Sequence, residues 1–180
     1  MLKVLEKQGK NVDEAIESAL KELNLTRNEV NIEVLEEGSK GFLGIGSKDA
    51  KIKVTEKFDA LRVAERFLDS IAQPMGEEVT YRMELDDEKH LKIELIGPDM
   101  GIFIGRRGET LDALQYLTSL AVNKYSDDYI KVTLDSENYR EKRQETLMRL
   151  AKRLASQVMR TGRSITLEPM SPNERRIIHS

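Results

Sequence analysis

Two arginines set between two glycines, Gly105-Arg106-Arg107-Gly108, are the strongest chemical signal in this chain. Glycine lets a backbone come close to a phosphate chain. Two guanidiniums in the same turn offer forked contacts to phosphate oxygens. A long amphipathic helix, predicted directly after the turn, adds N-terminal amides and the positive end of its dipole. The G-x-x-G pattern alone is weak, and the sequence repeats it at Gly38-Ser39-Lys40-Gly41 and Gly41-Phe42-Leu43-Gly44. Neither of those copies leads into a helix. Only Gly105 to Gly108 lies between a short apolar helical piece and a long helix, after a two-stranded hairpin. The rival reading is a solvated turn joining two core helices; the context favours anion binding.

The second signal is Arg175 with His179. Four residues apart on a helix, guanidinium and imidazole share one face, and the imidazole can become cationic near neutral pH. The spacing by itself is what any basic helix end would show. It gains weight from the long helix before it, where Lys142, Arg149, Arg153 and Arg160 fall within about 40° of one another at 100° per residue. That cationic stripe stands away from the apolar stripe Leu147, Leu150, Leu154 and Val158.

Other chemistries lack their residues. There is no cysteine, which removes disulfides, thiolate nucleophiles and zinc fingers together and fits a reducing compartment. His90 and His179 are the two imidazoles; His90 is expected in a solvated hairpin turn. There is no H-E-x-x-H, G-x-S-x-G or Walker-type loop, so no enzyme activity, cofactor or metal is expected. The amino end lacks the apolar core of a signal peptide. No run approaches the about 18 apolar residues of a spanning helix, so a cytoplasmic protein is the default.

The elements that must carry these groups are small. With 39% hydrophobic and 34% charged residues among 180, the chain can cover several modest cores and no large buried pocket. Its net charge of −3 argues against a polybasic coat, yet the charge is uneven. Residues 1–57 carry −1, residues 58–134 carry −6 and residues 135–180 carry +4.

The first segment reads as a strand from Leu2 to Leu5, then a helix capped by Asn11. Thr26 with Glu29 forms a capping box, and strands follow at Asn31–Leu35 and Lys51–Thr55. Between those strands lies a glycine-rich stretch whose Lys40, Phe42, Leu43 and Ile45 make either a tight half-buried turn or a partner-docking surface. The second segment reads helix, strand, strand, helix, strand. Its long helix is expected to bury Leu111, Leu114, Leu117, Leu120 and Ala121, and a strand follows at Ile130–Leu134. The third reads as a helix from Ser136 to Arg160 and a short strand at Ile165–Leu167. A last helix is capped by Ser171-Pro172-Asn173-Glu174.

The middle segment resembles the K-homology (KH) fold in its bacterial, type II-like order, on the strength of the hairpin, the Gly105–Gly108 turn and the helix after it. KH modules grip about four nucleotides of single strand along that turn beside an apolar groove. The resemblance implies that Gly105, Arg106, Arg107 and Gly108 hold backbone, and that Ile104 with strand residues such as Ile93 lines the groove. The third segment resembles the single-strand-binding domain named for its Arg and His. That pattern adds strands after the helix, so this unit is expected to be incomplete and the chain shortened after Ser180. Lys40-Gly41-Phe42-Leu43-Gly44-Ile45-Gly46 is similar to the amino-terminal domain of the bacterial Jag family, and the order of all three units matches that family.

The expectation is therefore an α+β protein of three small modules. They are an amino-terminal αβ unit (1–57), a type II-like KH domain (58–134) and a helix–strand–helix unit (135–180). The Jag resemblance implies a non-enzymatic protein that binds single-stranded RNA. It further implies an RNA-chaperone or post-transcriptional role, a second small KH protein as partner, and a link to cell-wall synthesis and elongation. Two alternatives stay open. One is an adaptor docking a membrane-associated or cell-wall partner through residues 1–57; the other is a single-stranded DNA binder.

Overall fold

The computed structural model describes residues 2–39 and 48–179. Lys40, Phe42, Leu43 and Ile45, the expected docking surface, lie outside the described residues. The fold is mixed helix and sheet with three modules, as the α+β expectation had it. Two compact units divide it: residues 1–64 with 121–129, and residues 65–120 with 130–180.

In the first unit, strand β1 (Val4–Gly9) is followed by helix α1 (Val12–Leu23), a 3-10 turn at Arg27–Glu29, and strands β2 (Val30–Glu36) and β3 (Ala50–Glu56). β3 is central and antiparallel to both neighbours. The first strand lies later than the expected Leu2–Leu5. The caps are where local chemistry puts them: Asn11 accepts a 2.8 Å hydrogen bond from the Glu14 amide, and Thr26 and Glu29 close a capping box. Strict alternation along β3 turns Ala50, Ile52 and Val54 inward, where Ile52 and Val54 meet Ala15, Ile16, Ala19 and Leu23 of α1. Each larger side chain buried there contributes about 1.5–3 kcal/mol.

The alternation also turns a charge inward. Glu56 is 2% exposed and is held by Arg62 Nη1 at 3.2 Å and the Lys3 amide at 2.9 Å. Arg62 also bonds Glu29, whose carboxyl is held below its usual range chiefly by hydrogen bonds from Thr26, with Arg62 adding to them. Arg62 lies on helix α2 (Ala60–Ala72), which ends in a 3-10 turn through Pro74 and a left-handed Gly76.

The second unit is built on strands β4 (Thr80–Leu85) and β5 (His90–Ile96), then the single turn α3 (Gly101–Ile104), helix α4 (Glu109–Asn123), strand β6 (Lys131–Ser136) and helix α5 (Tyr139–Thr161). Helix α6 (Pro172–His179) ends the described chain. β4 and β5 form the expected hairpin, and β6 joins β5 in parallel, giving the order β4-β5-β6. A parallel neighbour requires a crossover, and α3 with α4 supplies it.

Four local expectations change. Leu117 and Leu120 are 45% and 52% exposed, while Thr118 and Val122 are buried. α4 is apolar on two sides, so periodicity alone did not identify the buried one. Thr118 satisfies its hydroxyl on the Leu114 carbonyl at 2.7 Å, which lets it be buried. Ser136 ends β6 rather than opening α5; it is buried and donates to the Leu95 carbonyl at 3.0 Å. His90 opens β5 and its Nε2 lies 2.6 Å from Thr133 Oγ1, so it is tied across the sheet rather than solvated in a turn. Residues 162–171 are irregular, and Ile165–Leu167 forms no strand because no described strand pairs with it.

Candidate nucleic-acid interface

The Gly105–Gly108 turn joins α3 to α4, and its backbone explains its glycines. Gly105 (φ 68°, ψ −170°) and Gly108 (φ 81°) both have positive φ, and Arg107 between them is left-handed at φ 58°, ψ 24°. A Cβ at Gly105 would overlap Thr110 Oγ1, and one at Gly108 would come 2.6 Å from Tyr139 Cε1. On those sides the turn is in contact with its own protein; the glycines serve close packing there, in addition to any approach by a ligand.

The two arginines part company. Arg106 is exposed. Arg107 turns toward the connection between α5 and α6, where Nη1 donates to the Pro169 carbonyl at 2.8 Å and Nη2 pairs with the Glu168 carboxylate. Its side chain keeps 23% exposure. The turn is thus fastened to the carboxy-terminal segment, with one cation outward and one engaged.

The start of α5 makes the second fastening. Two consecutive left-handed residues, Glu137 (φ 53°) and Asn138 (φ 55°), turn the chain sharply out of β6, which brings Tyr139 against Gly108. Burial raises the Tyr139 phenol above its ordinary range and keeps it protonated. Arg140 then bonds Asp112 at 2.7 Å, Gln115 Oε1 at 3.2 Å and the Leu134 carbonyl at 3.3 Å. Arg143 reaches α6, with Nε 2.9 Å and Nη2 2.8 Å from Glu174 Oε1. Glu174 has a second duty there. It accepts from the Ser171 amide at 3.2 Å while Ser171 Oγ accepts from the Glu174 amide at 3.3 Å, closing the expected capping box.

These contacts bring the two sequence signals together. Arg107 borders the strap Leu167–Met170 on one side. A cleft lined by Leu167, Glu168, Met170, Arg175 and His179 lies along the same strap. Arg175 and His179 are both exposed. The stripe on α5 is exposed as expected at Lys142, Arg149, Arg153 and Arg160, and eighteen residues of helix spread it over about 27 Å. Of the apolar stripe on the other side of the helix, only Leu147 is fully buried.

The expected groove is placed less well. Ile104 is half-buried, but Ile93 is 3% exposed and belongs to the core. The residues missed are Tyr139, Arg143 and Glu168. Tyr139 carried a faint signal, an aromatic residue directly after a strand end in an aromatic-poor chain; the two ion pairs carried none.

Comparison with known proteins agrees with this order of parts. Residues 7–56 match the family described as Jag N-terminus, and residues 62–134 the KhpA/KhpB KH domain. Residues 145–180 match the Arg/His domain anticipated for the carboxy-terminal segment. The chain is 52% identical over 173 residues to the RNA-binding protein KhpB of Clostridium symbiosum, covering 96% of this chain and 78% of that protein. It is 48% identical over 172 residues to the RNA-binding protein KhpB of Bacillus subtilis (strain 168), covering 95% and 82%. A KhpB of Streptococcus pneumoniae serotype 2 is 33% identical over 136 residues, 73% of this chain and 41% of that protein.

Proposed function

The chain belongs to the KhpB family of RNA-binding proteins, and from that premise we propose that it binds single-stranded RNA without turnover, along one surface running from the Gly105–Gly108 turn to Arg175 and His179. The observation that carries this reading is the contact of Arg107 with Glu168 and Pro169. It sets the turn and the Arg/His helix on the two borders of one strap. Arg106, Arg175 and His179 are the exposed donors on that surface, and the α5 stripe extends it. The local cations answer the acidic whole-chain charge, because phosphates meet side chains within about a Debye length of 8–10 Å.

The test is fluorescence anisotropy with a labelled single-stranded RNA over a salt series. Arg106→Glu and Arg175→Glu should each weaken binding about tenfold and flatten the salt dependence by about one phosphate contact. Unchanged affinity in both variants, with the fold intact by circular dichroism, removes this surface from RNA binding. Competition by a matched DNA strand at equal affinity would widen the ligand to single strands in general.

The Jag resemblance supports extending the proposal to an RNA-chaperone or post-transcriptional role in the cytoplasm. It also supports a link to cell-wall synthesis and elongation and a second small KH protein as partner. The exposed Tyr116, Leu117 and Leu120 on α4 favour a protein contact as well as an RNA contact. Binding of a purified small KH protein that survives RNase and is lost in Leu120→Glu would support that arm; retention in the variant would refute this placement.

A further inference from the structure

Beside the glycine turn opens a cavity of about 470 Å³, within the range that accepts small organic ligands. Six of its walls matter most: the Gly108 backbone, the Tyr139 ring, Gln144, Met170, Asn173 and, as its floor, Leu147.

Its charges cancel. Arg107 is paired with Glu168, Arg140 with Asp112, and Arg143 with Glu174. A phosphate entering here would find each cation already engaged, and the Asp112 and Glu174 carboxylates would repel it. Apart from Glu109, whose exposed carboxylate would also repel a phosphate, the groups left over are neutral. The amides of Gln144 and Asn173 and the Tyr139 phenol make no hydrogen bond with any described residue. Two amides and a neutral phenol offer donors and acceptors together. An aromatic ring, a thioether and a buried leucine supply apolar faces. Flat surfaces with mixed neutral donors and acceptors complement a nucleobase, which stacks on one side chain and is read along its edge by others.

We propose that this cavity takes one unstacked nucleobase of a bound single strand, turned inward as the strand's backbone passes the glycine turn. The inference rests on the RNA-binding reading above and adds to it a base-recognition site on the α5–α6 side of the turn. Phosphates stay outside on Arg106; the base goes in under Met170 against Tyr139.

The test is an abasic scan. The probe is the shortest single-stranded RNA that keeps full affinity, so that it cannot slide, with one internal base removed at a time. Against the wild type, one position should cost about tenfold in affinity, the scale of a single stacked base. Gln144 and Asn173 are exposed, so the double variant Gln144→Ala with Asn173→Ala keeps the fold. In that variant the cost at the sensitive position should fall to about three- to fivefold, because the edge contacts from the two amides are gone while the Tyr139 face remains. Tyr139→Leu should behave likewise, but it also touches Gly108, so the amide variant decides. Equal abasic costs in wild type and variant at every position overturn the pocket and leave RNA binding standing. Failure of the wild type to bind any single-stranded RNA overturns both.

Discussion

Arg107 and Glu168 form an ion pair across the join between the glycine turn and the strap that precedes α6. Half of the turn's positive charge is thereby neutralised in the free protein. Glu168→Ala should release Arg107 to phosphate. Affinity for single-stranded RNA should rise a few-fold, and the slope of log affinity against log salt should steepen by about one contact. Anisotropy titrations at several salt concentrations measure both. A fall in affinity would mean that the pair holds the turn in its binding shape and does not compete with RNA.

Gly108 should tolerate no side chain. Alanine there meets a left-handed backbone and the Tyr139 ring at once. Urea denaturation should show a loss of about 3 kcal/mol. Gly162, also at positive φ but with open space around it, provides the control. Gly162→Ala should cost about 1 kcal/mol. Equal losses at the two positions would show that the Tyr139 contact contributes nothing.

Arg62→Ala should destabilise the amino-terminal unit on the order of 3 kcal/mol, because it takes the guanidinium away from the buried Glu56 carboxylate. Adding Glu56→Gln should recover most of the loss, since the buried charge is then gone as well. A change below about 0.5 kcal/mol in the single variant, as for an ordinary surface site, would contradict this account.

Tyr81 donates to Asp69 Oδ1 at 2.9 Å. Burial, then this bond to a carboxylate, raises its phenol well above the ordinary range. The folded state therefore holds the proton more tightly than the unfolded chain does. The resulting stability is complete below about pH 10, the unfolded value, and is lost as pH climbs from there toward the folded value. Tyr81→Phe should cost about 1 kcal/mol at pH 7 and lessen the alkaline decline. Parallel stability–pH curves above pH 10 for variant and wild type would rule this out.

What could be read in the sequence was local. Asn11, Thr26 with Glu29, and Ser171 with Glu174 act on residues three positions away, and all three caps formed. Strand β5 alternates within itself, so its inward face of Leu91, Ile93 and Leu95 was legible too, whereas Leu85 at the same spacing on β4 is 40% exposed. What could not be read was set by packing between distant segments. Arg107 and Pro169 are 62 residues apart, and nothing near Arg107 distinguishes it from Arg106. Leu117 and Leu120 have the right spacing for a core and lie on the wrong side of a helix that is apolar on two. The net +4 of residues 135–180 likewise overstated the free charge, since Arg140 and Arg143 are bound to carboxylates.

The parallel pairing of β5 with β6 has a consequence for synthesis. Forty residues separate Ile96 from Ser136, which is about 2–8 s of translation at about 5–20 residues per second. During that interval the nascent hairpin offers the unpaired edge of β5, with Leu91, Ile93 and Leu95 not yet covered. An open, apolar strand edge is a template for pairing with another chain. On a crowded polysome, the vulnerable moment of this protein's life falls before its glycine turn has anything to be fastened to.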